Sequence, residues 1–221
     1  MSKKTSNKII IFDLDGTLIH SIPDMLIAMN KTLEHFKLKT ISEEKLKEFV
    51  GEGMLKLSQN VLKFSGANLN LIDEFFSMYR KEYSEKPYDL TTLMPGVKDI
   101  LDYLLGKNIS INICTNKRQH VAEKILKQMN LFDNFDFVVG AKENVPLKPK
   151  RQMIDFICNQ YDSDENEFIM VGDTKVDILA AKNAGISSVI VDGGYTNEDC
   201  KSLSADFYLN NISELKSVLN L

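Results

Sequence analysis

The chain has no tryptophan, and its 221 residues include only five prolines and three cysteines. Cys114, Cys158 and Cys200 are odd in number and far apart, which excludes a disulfide framework or a CxxC metal knuckle. A reducing cytosol is the simplest setting for them. Long apolar runs are also missing. The N-terminal lysines lead into four apolar residues before Asp13, too few for the core of a signal peptide. No run approaches the roughly 20 residues that span a bilayer. Neither charge is in large excess: 27 Lys+Arg against 31 Asp+Glu give −4, which speaks against a basic nucleic-acid-binding face. Internal repeats and low-complexity tracts are absent, and His20, His35 and His120 lack the spacing of a metal site. These absences describe a cytoplasmic protein of one or two domains that uses neither membrane nor nucleic acid. Its hydrophobic content of 43% is enough for a substantial core.

What is present is an alternation. Runs rich in β-branched residues at 8–14, 109–114, 136–139, 167–171, 188–191 and 207–209 read as strands, and IIIF and FIMV suit strands buried on both faces. Helical stripes lie between them. Val97, Ile100, Leu101 and Leu104 form one, from just after Pro95 to Gly106; Val121, Ile125, Leu126 and Met129 form another. This order predicts an α/β fold with a doubly wound, Rossmann-like parallel sheet. Residues 17–87 break the alternation with 71 residues that show no strand pattern. They predict helices in series. The first has Ser21 as N-cap and Asp24 three residues on, and buries Ile22, Met25, Leu26, Met29, Leu33 and Phe36. A second starts at Ser42, a third follows Gly53, and a fourth covers about 71–83. The expected organisation is a discontinuous core domain, 1–16 with 88–221, carrying an inserted α-helical cap domain, 17–87. The insertion falls at the carboxyl edge of the sheet, where open α/β sheets place their ligands. The crossings at 17–20 and 86–90 are the expected hinges of the cap.

Chemistry-bearing residues gather at that edge. The first strand ends in Asp13-Leu14-Asp15-Gly16-Thr17. Residues two apart on a strand point the same way, so strand geometry carried through Asp15 puts both carboxylates on one side. The fourth strand leads into Gly172-Asp173-Thr174-Lys175-Val176-Asp177. Each pair has an ordinary explanation, as turn-favouring acids or as a helix cap with a first-turn acid. Together, however, clustered anions raise one another's pKa, and such a cluster is tolerable mainly around a cation. All-oxygen ligation with room for water suits Mg²⁺. Thr115-Asn116 follow the second strand, and Lys148 follows the third, between Pro146 and Pro149. Alone, Thr115 reads as a helix cap and Lys148 as a solvated loop lysine; their shared position at the strand ends sets them apart. Asp13, Asp173 and Asp177 carry −3, which one Mg²⁺ and Lys148 balance, leaving a site able to accept a phosphate dianion.

The combination of DxDGT on the first strand, Thr after the second, Lys after the third and GDTxxxD after the fourth resembles the haloacid dehalogenase superfamily of phosphotransferases. The core match covers most of the chain outside 17–87. Val50-Gly51-Glu52-Gly53, Met94-Pro95-Gly96-Val97, Cys114-Thr115-Asn116-Lys117 and AAKNAGI are similar to runs of its phosphoglycolate phosphatase branch. One departure is Lys150-Arg151, where relatives often carry a second proline soon after the Lys-Pro. The resemblance implies a Mg²⁺-dependent phosphatase. In it, Asp13 is the nucleophile that becomes an aspartyl-phosphate, and Asp15 is the general acid and then the general base. Thr115 and Lys148 hold the phosphoryl oxygens, with Asn116 beside them on the substrate. Asp13, Asp173 and the backbone carbonyl of Asp15 ligate the metal, and Asp177 orients Lys148 or a metal-bound water. An acid at position 15 fits an oxygen leaving group, which needs a proton, and not a halide.

The resemblance further implies that the cap reads the leaving group. The expected substrate is a small phosphorylated metabolite, 2-phosphoglycolate, whose carboxylate would meet Lys56, one turn past the Gly51-Glu52-Gly53 loop. An inorganic pyrophosphatase or a sugar phosphomutase of the β-phosphoglucomutase type is the alternative within the superfamily. A non-enzymatic binding or regulatory module on the same fold is the alternative outside it.

Overall fold

The structure, a computed structural model, describes residue 4, residues 8–164 and residues 167–219. From β1 (Ile9–Phe12) the chain passes through β2 (Ile19–His20) into α1 (Ile22–His35), α2 (Glu43–Lys47), α3 (Met54–Phe64) and α4 (Ile72–Glu85), and returns through β3 (Thr92–Leu93). Then follow α5 (Val97–Gly106), β4 (Ser110–Arg118), α6 (Gln119–Gln128), β5 (Phe137–Ala141), α7 (Gln152–Cys158), β6 (Phe168–Gly172), α8 (Lys175–Ala184), β7 (Ser187–Val191), β8 (Phe207–Leu209) and α9 (Leu215–Val218).

The main sheet has the order β5-β4-β1-β6-β7-β8, with every pairing parallel. Strand β1 occupies the middle because IIIF has no polar side chain to send to water on either face; all four residues are fully buried. Burial of side chains this size stabilises by about 1.5–3 kcal/mol each. The pleat divides them. Ile10 and Phe12 join a core with residues of α5, α6 and the helical insertion, while Ile9 and Ile11 join one with residues of α7 and α8. The α/β, doubly wound parallel architecture is therefore as the alternation predicts.

Two strand ends differ from expectation. Strand β1 stops at Phe12, because the Leu14 carbonyl accepts from the Leu18 and Ile19 N–H groups and curls the chain into a turn. Strand β4 instead runs on to Arg118, breaking register with β5 between Cys114 and Arg118. Thr115 thus lies inside a strand, and the N-cap of α6 is Arg118. A short antiparallel pair, Ile19↔Leu93 and His20↔Thr92, joins the two crossings into the insertion, a pairing with too few residues to leave a periodic signal.

The first helix also departs from its expected start. Ile22, Met25, Met29 and Leu33 are buried as the stripe predicts, with Leu26 and Phe36 half-buried. Ser21, however, makes no side-chain cap; its hydroxyl donates to Asp15. Nor does Asp24 close a capping box. Its buried carboxylate accepts from the Leu90 N–H at 3.0 Å and the Thr91 hydroxyl at 2.6 Å, which pins the returning crossing to α1. Asp24→Ala leaves that N–H without its carboxylate, so urea unfolding is expected to show a loss of about 1–3 kcal/mol.

Candidate active site

The loops after β4 and β6 lead away from β1 on opposite sides, towards β5 and β7, so three strand ends open onto one crevice. Asp13 is the first residue past β1. Its N–H donates to the Val171 carbonyl of β6 at 2.8 Å, and its carboxylate accepts from Lys148 Nζ at 2.8 Å. The same ammonium donates to Asp177 Oδ1 at 2.6 Å, and Lys148 itself is buried. Asp177 is also held from its own helix, by the N–H and hydroxyl of Thr174, which complete a capping box. Asp173, with no exposed surface, accepts from the Thr17 hydroxyl and the Tyr195 N–H, both at 2.7 Å. A Cβ on Gly194 would fall 2.3 Å from Asp173 Cβ, and one on Gly16 (φ +88°) would fall 2.4 Å from Asp173 Oδ2, so only glycine lets these two loops close over the carboxylate.

Asn116 spends its amide on backbone. Its Oδ1 accepts from the Lys148 N–H at 2.8 Å, and its Nδ2 donates to the Lys148 and Gly51 carbonyls at 2.9 Å. The side chain expected to touch substrate is thus a clamp on Lys148, tied at the same time to the helical insertion.

Ligand oxygens of Asp13, Asp173 and Asp177 all lie within 4.8 Å of one another. Burial pushes the Asp13 carboxyl up to about 6; Lys148 opposes the shift, while Asp177 and Asp15 add to it. Burial, with repulsion from Asp177 and Asp13, holds Asp173 well above the usual carboxylate range. Burial pulls the Lys148 ammonium down, but Asp13 and Asp177 outweigh it and keep the group charged. One ammonium cannot neutralise three buried carboxylates. The remaining deficit and the hard all-oxygen donor set fit a divalent cation.

Asp15 lies past the end of the strand and has partners of its own. Its carboxylate accepts from Lys117 Nζ at 2.8 and 3.0 Å and from the Ser21 hydroxyl. Both aspartates face a cavity of about 50 Å³ roofed by the insertion, whose walls include Met25, Met54, Leu57, Tyr79 and Tyr83. Thr115 and Asn116 line it as well, whereas Lys56 does not: it is exposed on α3, and the cations of the lining are Lys117 and Arg118. Sequence reasoning passed over Lys117 as a site residue, although it follows Thr115 and Asn116 in the same run at the end of β4. Thr17 was read only as the last residue of the DxDGT run, and Tyr195 gave no comparable signal.

The model of the haloacid dehalogenase-like hydrolase family matches residues 10–191, and the chain belongs to that family. It is 33% identical over 215 residues to a phosphoglycolate phosphatase of Chromobacterium violaceum, covering 96% of each chain. A phosphoglycolate phosphatase of Vibrio parahaemolyticus is 31% identical over 218 residues, again with 96% of each chain covered. Among solved structures, that of a predicted phosphoglycolate phosphatase from Haemophilus somnus is similar with a TM-score of 0.89 at 25% identity, over 97% of this chain and 99% of that one. No helix among the described residues is long and apolar enough to cross a membrane.

Lys148→Met would leave Asp13 and Asp177 buried without their cation. A destabilisation of about 3–5 kcal/mol is expected at pH 8. The loss should shrink at pH 5, where Asp13 takes up a proton; chemical denaturation at the two pH values measures both.

Proposed function

We propose that the chain is a Mg²⁺-dependent phosphatase acting on a small phosphomonoester, 2-phosphoglycolate, through an aspartyl-phosphate on Asp13. The observation that carries this reading is the convergence of Asp13, Asp15 and Thr115 on one small cavity, with Lys148 bound behind Asp13 and an acidic triad that includes Asp13 itself. Asp13 supplies the nucleophilic oxygen. As its bond to phosphorus forms and the bond to the ester oxygen breaks, Asp15 gives that oxygen a proton. Asp15 then takes a proton from water as the water oxygen attacks phosphorus, which releases phosphate and restores Asp13. Lys148 offsets charge on the phosphoryl oxygens. Thr115 accepts from the Lys117 N–H at 3.2 Å, which leaves its own hydroxyl proton for a phosphoryl oxygen. Asp13, Asp173 and the Asp15 carbonyl would hold Mg²⁺, with Asp177 steering Lys148 beside them. The ion, when bound, supplies positive charge opposite the transferring phosphoryl group.

Residues 17–87 act in this reading as a cap that excludes water. The cavity lies beneath it, between Asp13 and Asp15 on one side and Met25, Met54 and Leu57 of the insertion on the other. Its apolar walls at Met25, Met54 and Leu57 suit a carbon stem better than the second phosphate of pyrophosphate. The names of the relatives point the same way.

Phosphate release over a panel of phosphorylated metabolites tests the substrate, and a flat profile over the panel would overturn 2-phosphoglycolate. Asp13→Asn is expected to lower turnover of even a generic phosphoester by about 10³-fold or more. Wild-type inactivity on every ester with Mg²⁺ present would favour a binding module instead.

Mg²⁺ should also stabilise the fold in a pH-dependent way. The Asp13 pKa is raised from 3.8 to about 6, so the folded state binds protons that the unfolded state has already released. Without a cation, stability is therefore lost as pH rises from about 4 through 6. A bound cation reverses that loss, so MgCl₂ should raise Tm more at pH 7.5 than at pH 5.

A further inference from the structure

Tyr79 and Tyr83 lie one turn apart on α4, with rings stacked at 6.1 Å, and both line the cavity next to Asp15. Both are essentially without exposed surface, yet among the described residues neither hydroxyl has a hydrogen-bond partner. Ser21, a neighbour of Tyr83, gives its proton to Asp15 instead. Buried polar atoms are nearly always paired, and one left alone forfeits the hydration it had in water. Phenylalanine would fill the same space without that loss, so packing does not explain the two oxygens. Burial holds both phenols well above their usual pKa, which leaves them as proton donors throughout the physiological range.

The surroundings say what these donors are for. Lys117 Nζ, which is bound to Asp15, sits 4.9 Å over the Tyr83 ring, and Arg118 stands in the same lining. A small group with more than one acceptor oxygen satisfies both hydroxyls, and a carboxylate does so most strongly with Lys117 and Arg118 nearby. We propose that the hydroxyls of Tyr79 and Tyr83, with Lys117, seat the carboxylate of a short leaving group and so set selectivity for phosphorylated hydroxy acids of a few carbons. This rests on the phosphatase reading of the Asp13 site and deepens it, moving carboxylate recognition from Lys56 on α3 to the inner face of α4.

The test is kcat/KM for 2-phosphoglycolate relative to ethyl phosphate, a similar ester without the carboxylate, in wild type, Tyr79→Phe, Tyr83→Phe and the double variant. A hydrogen bond to a charged group predicts about a tenfold or greater fall in that ratio for each hydroxyl removed. A wild-type preference for the acid that survives in the double variant overturns this proposal alone. A wild type with no preference for the acid overturns it together with the 2-phosphoglycolate reading. Thermal unfolding of the unliganded proteins gives a second reading. Because the hydroxyls have no partners, the double variant should melt at or above the wild-type temperature; a lower Tm would show that the protein itself satisfies them, and would also overturn the proposal.

Discussion

The site is organised by one buried ammonium. Lys148 stands between Asp13 and Asp177, within 2.8 Å of both, and each partner is fixed independently of it: Asp13 by β6 through its backbone N–H, Asp177 by the cap of its own helix. A lysine taken out of water is tolerable only with such partners, and two crowded carboxylates are tolerable only with such a lysine. Each side of the arrangement therefore requires the other. That mutual need draws the ends of β1 and β6 and the loop after β5 to one point, and the remaining crowding among Asp13, Asp173 and Asp177 is what invites a divalent cation.

Legibility in the sequence followed periodicity. The central strand was plain because IIIF is continuous, and the helices of the insertion were plain because their apolar residues recur every three or four positions. Strand ends were not, since they depend on where backbone groups find partners. Leu14 stops β1 by turning its carbonyl to Leu18 and Ile19; the turn-favouring acids at 13 and 15 signal a turn but not the residue at which the strand ends. Asp13, Asp15, Lys148 and Asp173 were readable as a set because strand ends of a parallel sheet share an edge. What each side chain touches was not, because that is decided between loops distant in sequence: Asp24 with Leu90, Asn116 with Gly51, Tyr195 with Asp173. Tyr79 and Tyr83 were invisible for another reason. At a spacing of four on a helix, a buried phenol and a core aromatic look alike.

Asp13 and Asp15 show how a small backbone event divides labour. Had the strand continued, both carboxylates would have met the same cation and repelled each other. The turn after Phe12 instead sends Asp13 to Lys148 and Asp15 to Lys117 and Ser21. Two carboxylates two residues apart thus acquire separate cationic partners, and with them the separate environments that the proposed nucleophile and proton carrier would require.

The Asn116 amide joins pieces that could have been independent. One side chain grips both backbone groups of Lys148 and the Gly51 carbonyl of the inserted helices. Proper docking of the roof and proper aim of the ammonium are thereby read by the same three hydrogen bonds. Loop changes around position 51 would accordingly disturb the seat of Lys148 together with the cavity wall that Val50, Gly51 and Gly53 supply.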